Sequence, residues 1–265
     1  MLFHRSNLII HKMANQDPEQ QNTHCLYFAE DGSTVASNRI SAIACSPVDK
    51  RQYFPDIGKK PIDLEYGTAV HLDVVEQVLK NIPKTKDSFM QYAVITRMDN
   101  ERIELTTTDK QKELSVTGKV LRISFPDWKA LFRISFDYVK TFFNNCSSLL
   151  TRKQIDENEN YGRIAVNRKM LIQLLQTIDD ACGNQNEDLI YIEFSSDKNP
   201  LLLRAQNRIT GQKVISIIRP VFLAEQWMKY DEWESSVFNL LNTENEKNTE
   251  NSIPLKKKIP LKRKE

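Results

Sequence analysis

Apolar residues along this chain recur with two different periods, and the alternation between them divides it into strands and helices. A first cycle opens with Ser6 as the cap of a short helix whose Leu8, Ile9, Ile10 and Met13 face inward, ended by Asp17-Pro18. Strands are expected at Cys25 to Glu30 and at Thr34 to Cys45. They are joined by Asp31-Gly32, where glycine takes a positive φ at little cost. A looser stretch, Ser46 to Gly67, holds Pro47, Pro55 and Pro61. Leu72 to Ile82 then reads as a helix with Val74, Val75, Val78, Leu79 and Ile82 on one face, stopped by Pro83. Three strands follow at Tyr92 to Met98, Arg102 to Thr108 and Glu113 to Ile123, with turns at Asp99-Asn100 and Asp109-Lys110.

A second cycle begins with a helix over Phe136 to Leu150, in which Tyr138, Val139, Phe142, Phe143 and Cys146 recur at helical spacing. It continues with a short strand at Arg163 to Val166 and a helix over Arg168 to Ala181 that turns Met170, Leu171, Leu174, Leu175 and Ile178 inward. Strands at Leu189 to Ser195, Leu201 to Gln206 and Gln212 to Pro220 close it. Two rounds of helix then strands predict an α+β protein of repeated units, with helices packed on one face of mostly antiparallel sheets. Beyond them, Glu225 to Leu241 has the pattern of a short amphipathic helix, and Asn242 to Asn251 has a polar composition suited to disorder.

Composition narrows the class. A chain of 265 residues with 40% hydrophobic residues is long enough to bury a core, and no stretch reaches the roughly 20 apolar residues of a membrane span. Met1 to Ala14 contains His4, Arg5 and Lys12 in place of a signal core, so a cytoplasmic protein without membrane contacts is expected. Cys25, Cys45, Cys146 and Cys182 form no CxxC pair and read as reduced, mostly buried thiols. The net charge of +2 hides an asymmetry. Ser252 to Glu265 carries six of the 37 basic residues and one of the 35 acidic ones, which leaves 31 basic and 34 acidic residues before it. Nucleic acid could therefore be met only through a local basic stripe or through the tail.

Several short motifs, in order, resemble the bacterial DNA polymerase III beta subunit, the sliding clamp. Leu26-Tyr27-Phe28-Ala29-Glu30-Asp31-Gly32 followed by Thr34-Val35-Ala36-Ser37-Asn38 is similar to a strand, turn and strand of that family's middle domain, and Val74 to Ile82 to its second helix. Phe125-Pro126-Asp127-Trp128 resembles the segment linking its middle and C-terminal domains. Asn167 stands where the family has an asparagine ahead of a Leu-rich helix. Ile217-Ile218-Arg219-Pro220-Val221-Phe222-Leu223 resembles its closing strand, matching at Pro220 and Leu223 and departing at Arg219 and Phe222. The resemblance implies a chain that begins near the middle domain, without the family's N-terminal domain. Thr151 to Gly162 is too short for the strands of a complete C-terminal domain, and the chain adds more than forty residues after Leu223. The expected organisation is a clamp-like domain at 1–132, a shortened clamp-like domain at 133–225 and a flexible tail with a basic end at 226–265.

A clamp acts by topology, offering dispersed positive charge from helices to duplex DNA without reading bases. On that resemblance the DNA-binding candidates are Lys12, Lys80, Lys84, Lys140, Arg152, Arg168 and Lys169. In the tail, Ile253-Pro254-Leu255-Lys256-Lys257-Lys258 is repeated as Ile259-Pro260-Leu261-Lys262-Arg263-Lys264, and its cations extend the set. The family also recruits partners through an apolar peptide pocket. Matched positions assign Ser37, Asn38, Pro126, Leu131, Asn167, Met170, Ile218, Pro220, Val221 and Leu223 to it.

The implied function is a non-catalytic processivity or scaffolding factor in DNA replication or repair. Its partners would be duplex DNA, a DNA polymerase or other replication or repair protein, and further copies of itself. The alternative is a clamp-derived interaction module that does not encircle DNA. Neither reading needs a cofactor or metal. An enzyme is disfavoured because His4, His11, His24 and His71 lack metal-ligand spacing and no phosphate-binding or nucleophile motif occurs. Asp179-Asp180 are adjacent on a helix and point apart.

Overall fold

The structure is a computed structural model that describes residues 2–48, 67–82, 88–99, 101–108, 112–135, 137, 164–183, 189–194 and 199–221. The chain divides after Val221, with Met1–Val221 as one unit. The expected helix at Phe136 to Leu150, the segment Thr151 to Gly162 and everything after Val221 lie outside the described residues, apart from residue 137.

Strands and helices follow a repeated order. The first unit is β1 (Leu2–His4), α1 (Arg5–Ile9) with a 3-10 turn (Ile10–Met13), β2 (Cys25–Phe28), β3 (Thr34–Ser37) and β4 (Ser41–Cys45). The second is β5 (Thr68–His71), α2 (Leu72–Asn81), β6 (Tyr92–Arg97), β7 (Arg102–Thr108) and β8 (Glu113–Leu121). Residues 128–135 form a helix, α3. The remainder is α4 (Arg168–Cys182), β9 (Tyr191–Glu193), β10 (Leu201–Gln206) and β11 (Lys213–Ile218).

The eleven strands among the described residues join in one sheet of order β1-β6-β7-β8-β5-β2-β3-β4-β11-β10-β9, and every pairing between them is antiparallel. The first two units exchange their opening strands. β1 pairs with β6 of the second unit, and β5 pairs with β2 of the first. β11 pairs with β4 in register Ile215 to Ala44 and Ile217 to Ala42, so the later meander extends the same sheet.

Helices α1, α2 and α4 cover one face. Phe3, Leu8, Ile10, Met13, Phe28 and Leu174 are fully buried there, and the Phe3 and Phe28 rings meet edge to face at 4.8 Å. Gly118 lets α2 approach β8, because a Cβ at that position would lie 2.9 Å from Val74 side-chain atoms. A polar network crosses this interior. Asn7 donates to Thr34 Oγ1, Gln212 Nε2 donates to Asn7 Oδ1 at 2.6 Å and to the Ser46 carbonyl at 2.9 Å, and Asn207 Nδ2 donates to the Ala181 carbonyl at 3.2 Å. These bonds tie α1 and β4 to the β10–β11 hairpin and the end of α4. They satisfy polar groups that would be costly to bury alone.

The structure corrects several sequence expectations. Thr34 to Cys45 is two strands, because Asn38 to Ile40 form a turn in which Arg39 takes φ 73°. His4, and not Ser6, caps α1, accepting from the Ser6 amide. Residues 164–167 are irregular where a strand was expected, and the short strands β1 and β5 carried no periodic signal. The Asp31-Gly32 turn forms as predicted, with Gly32 at φ 85° and its amide donating to the Ala29 carbonyl. Cys25, Cys45 and Cys182 are buried, and burial pushes the Cys25 thiol up to about 12 and the Cys45 thiol up as well.

Candidate functional site at the turn end of the central strands

On the sheet face opposite the large core, α3 packs over a smaller cluster of Val35, Ala42, Ala44, Phe132, Leu202 and Ile217. The segment leading into α3 is fixed by Phe125, whose ring stacks on Tyr27 at 4.6 Å and 8° between planes. Asp127 Oδ1 then accepts from the Ala130 amide in the first turn of α3. Trp128 and Phe132 follow one helical turn apart, with ring centroids 6.3 Å apart.

Three chain segments converge beside this cluster. Asn38 Oδ1 accepts from the Ile40 and Ser41 amides and from Ser41 Oγ, which fixes the β3–β4 turn. The Arg219 amide donates to the Ile40 carbonyl at 2.9 Å, and the Val221 amide to the Ala165 carbonyl at 2.7 Å. The exit of β11 is thereby held against the β3–β4 turn on one side and the approach to α4 on the other. Ile40 and Val221 stay 44% and 43% exposed although their backbones are held by these hydrogen bonds.

The assigned pocket residues fall as follows. Ser37, Asn38, Pro220 and Val221 belong to the converging segments, and Asn167 follows directly as the N-cap of α4, accepting from the Met170 amide. Pro126 is exposed on the segment before α3, and Leu131 is 40% exposed on α3 beside Phe132. Ile218 is fully buried, and Met170 is half-buried at the start of α4, packed against the large core. Leu223 lies outside the described residues. Ile40 and Phe132 were not picked out by sequence reading. Their signal was the helical spacing of Trp128, Phe132 and Ser135, and an isoleucine inside a polar turn.

The helical face carries mixed charge. Lys12 Nζ lies 2.6 Å from Asp180 Oδ2, Lys80 is exposed in the last turn of α2, and Arg168 and Lys169 are exposed at the start of α4. Asp73, Glu76, Asp179 and Asp180 share these helices. His11 is buried beneath them with Nε2 3.8 Å from Glu76, and burial holds its pKa down against the pull of that carboxylate. Lys84, Lys140, Arg152, Lys256, Lys257, Lys258, Lys262, Arg263 and Lys264 lie outside the described residues. Among the described residues no group of three or more His, Cys, Asp or Glu could hold a metal ion, although the His24 and His71 rings meet at 4.9 Å. No described helix is long and apolar enough to cross a membrane.

Helices on one face of an antiparallel sheet that runs unbroken through successive strand and helix units constitute a sliding-clamp-like fold. The solved structures it matches include bacterial clamps. The DNA polymerase III beta chain of Streptococcus pneumoniae aligns over 84% of this chain and 64% of its own length, with a TM-score of 0.50 and 13% identity. The H. pylori beta clamp, solved with diflunisal, aligns over 83% of this chain and 64% of its own, with a TM-score of 0.50 and 10% identity. The chain thus spans less than two thirds of the length of these bacterial clamps. No protein-family profile and no curated protein matches the sequence.

Proposed function

We propose that the chain is a non-catalytic, clamp-like processivity or scaffolding factor of DNA replication or repair, acting in the cytoplasm. Its helical face would be turned to duplex DNA, and its outer face would recruit a polymerase or other replication or repair protein. The observation that carries this reading is the separation of the two faces on one clamp-like sheet. Three helices lie together on one side, while the segment around Phe125 to Phe132 and the exposed Ile40 and Val221 mark the other. Lys80, Arg168 and Lys169 would meet phosphates without reading sequence, joined by the cations of the tail. A partner peptide would place an apolar anchor against Ile40, Val221 and Leu131.

In this reading the molecule is organised as a clamp-like domain over 1–132, a shortened one over 133–225 and a basic tail, and copies of it associate around DNA. The test is retention on closed circular DNA. Encirclement predicts that the protein stays bound to circles at moderate salt and is released when they are cut, whereas equal release from circles and linear DNA contradicts it. The neutralisation of Lys12 by Asp180 favours a second reading, a clamp-derived interaction module that does not surround DNA. A monomer that binds partner peptides and is indifferent to DNA topology would establish that reading.

A further inference from the structure

A polar cavity of about 700 Å³ opens among the helices, between the 3-10 turn that follows α1, the middle of α2 and the second half of α4. Its wall holds three carboxylates, Glu76, Asp179 and Asp180, against one ammonium, Lys12, which is paired with Asp180 at 2.6 Å. Asp179 and Asp180 also stand at the carbonyl end of α4, where the helix dipole is negative. Neighbouring donors are turned to the protein itself. Thr177 Oγ1 donates to the Gln173 carbonyl at 2.7 Å, and Gln173 Nε2 donates to the Lys12 carbonyl at 2.6 Å. The cavity therefore presents mainly acceptors and negative charge.

His11 gives this cavity a specific demand. Its side chain is only 9% exposed and lines the wall. Nδ1 lies 2.9 Å from the Leu8 carbonyl, an oxygen that can only accept, so Nδ1 carries the ring proton. Burial lowers the pKa of His11 and keeps the ring neutral, which leaves a lone pair on Nε2. That lone pair meets Glu76 Oε1 at 3.8 Å. Two acceptors facing each other in this way are satisfied together by a donor placed between them, and a single nitrogen can lie about 2.9 Å from both.

We propose that this cavity binds a primary ammonium group on an alkyl chain, of the kind carried by a diamine or by a lysine side chain. One N–H is donated to His11 Nε2 and a second to the Glu76 carboxylate, while Asp179 and Asp180 balance the charge. An anion would be repelled by the three carboxylates. A metal ion fits less well, because His11 and Glu76 form only a pair, and among the described residues no group of three or more His, Cys, Asp or Glu could hold one. The cavity is on the helical side of the sheet, opposite the Phe132 cluster, and so is distinct from the candidate site above. Binding needs no DNA, and its failure would leave the clamp reading untouched.

The experiment is isothermal titration calorimetry on the full chain at neutral pH and low salt. The probes are diaminobutane, its bis-trimethylammonium counterpart, a glycine-flanked lysine peptide with blocked ends, and zinc chloride. The diamine or the lysine peptide should bind, and the tighter of the two names the source of the ammonium group. The quaternary compound has the same charge and no N–H, so it should bind about tenfold or more weakly than the diamine. Glu76→Gln should weaken amine binding by a similar factor, and Asp179→Asn by less. Glu76 is 44% exposed on its side chain and Asp179 is exposed, so the fold should persist in both variants. The nitrogen resonance of His11 Nε2 should shift on addition of the amine, toward that of a hydrogen-bonded acceptor. Absence of amine binding, equal binding of the quaternary compound, tighter binding of zinc, or indifference to Glu76→Gln would overturn the proposal.

Discussion

The two faces of the sheet are built to different standards. The helical face is sealed by α1, α2 and α4 over a wide interior that includes Phe3, Phe28, Ile43, Leu72 and Leu174, and a buried polar network crosses it. The outer face has one short described helix over a cluster of six buried residues, and it leaves Ile40, Val221, Leu189 and Tyr191 at the surface. On the proposed function, the difference separates stability from recognition. A face sealed by helices holds the strands in register across both repeats, and that rigidity lets the opposite face leave apolar groups exposed at its turns and its edge.

Truncations test the comparison most strongly. Phe28→Ala should cost about 3–5 kcal/mol in urea unfolding, because it removes a fully buried ring and its edge contact with Phe3. Phe132→Ala should fall at or below about 3 kcal/mol, since its smaller cluster can collapse more readily. Equal losses would mean that the outer cluster is as integral to the fold as the helical one.

Acid should act on the helical side next. His4 is buried with Nε2 against Gln91 Oε1 and Nδ1 accepting from the Ser6 amide, and burial lowers its pKa to about 4. The unfolded chain, with the ordinary histidine value of about 6.5, binds the proton first as pH falls. Stability is therefore complete above about pH 6.5 and is lost downward toward pH 4, by about 2 kcal/mol between pH 7 and pH 5. Urea unfolding at the two pH values, repeated with His4→Asn, should show that loss in the parent and a much smaller one in the variant.

The smallest effect on stability should come from the surface. Asp180→Asn removes an exposed ion pair worth about 0–1 kcal/mol and releases Lys12. Duplex binding should nonetheless tighten, and the slope of log affinity against log salt should steepen by about one. Unchanged binding would show that the 3-10 turn after α1 does not face DNA.

Much of this fold was legible because it rests on periodicity. Val75, Val78 and Leu79 repeat at helical spacing in α2, as do Leu174 and Ile178 in α4, and Asp31-Gly32 announces its turn chemically. The rest depends on contacts between distant segments. β1 and β5 are three and four residues long and owe their strand character to exchange between repeats. Asn7, Asn207 and Gln212 look like ordinary polar residues until they meet in the interior. At the candidate site, local motifs drew attention to Ser37, Asn38, Pro220 and Val221, which lie on segments that the structure brings together. The burial of Ile218 follows from its alternation in β11, and the exposure of Ile40 is set by a turn with Arg39 in a left-handed conformation, which no periodicity signals.

The most direct measurement of the central claim is mass in solution by light scattering, with and without closed circular duplex DNA. The clamp reading predicts an assembly of more than one copy that remains intact on the circle. A monomer in both conditions would contradict encirclement and leave the chain as an interaction module built on a clamp-like fold.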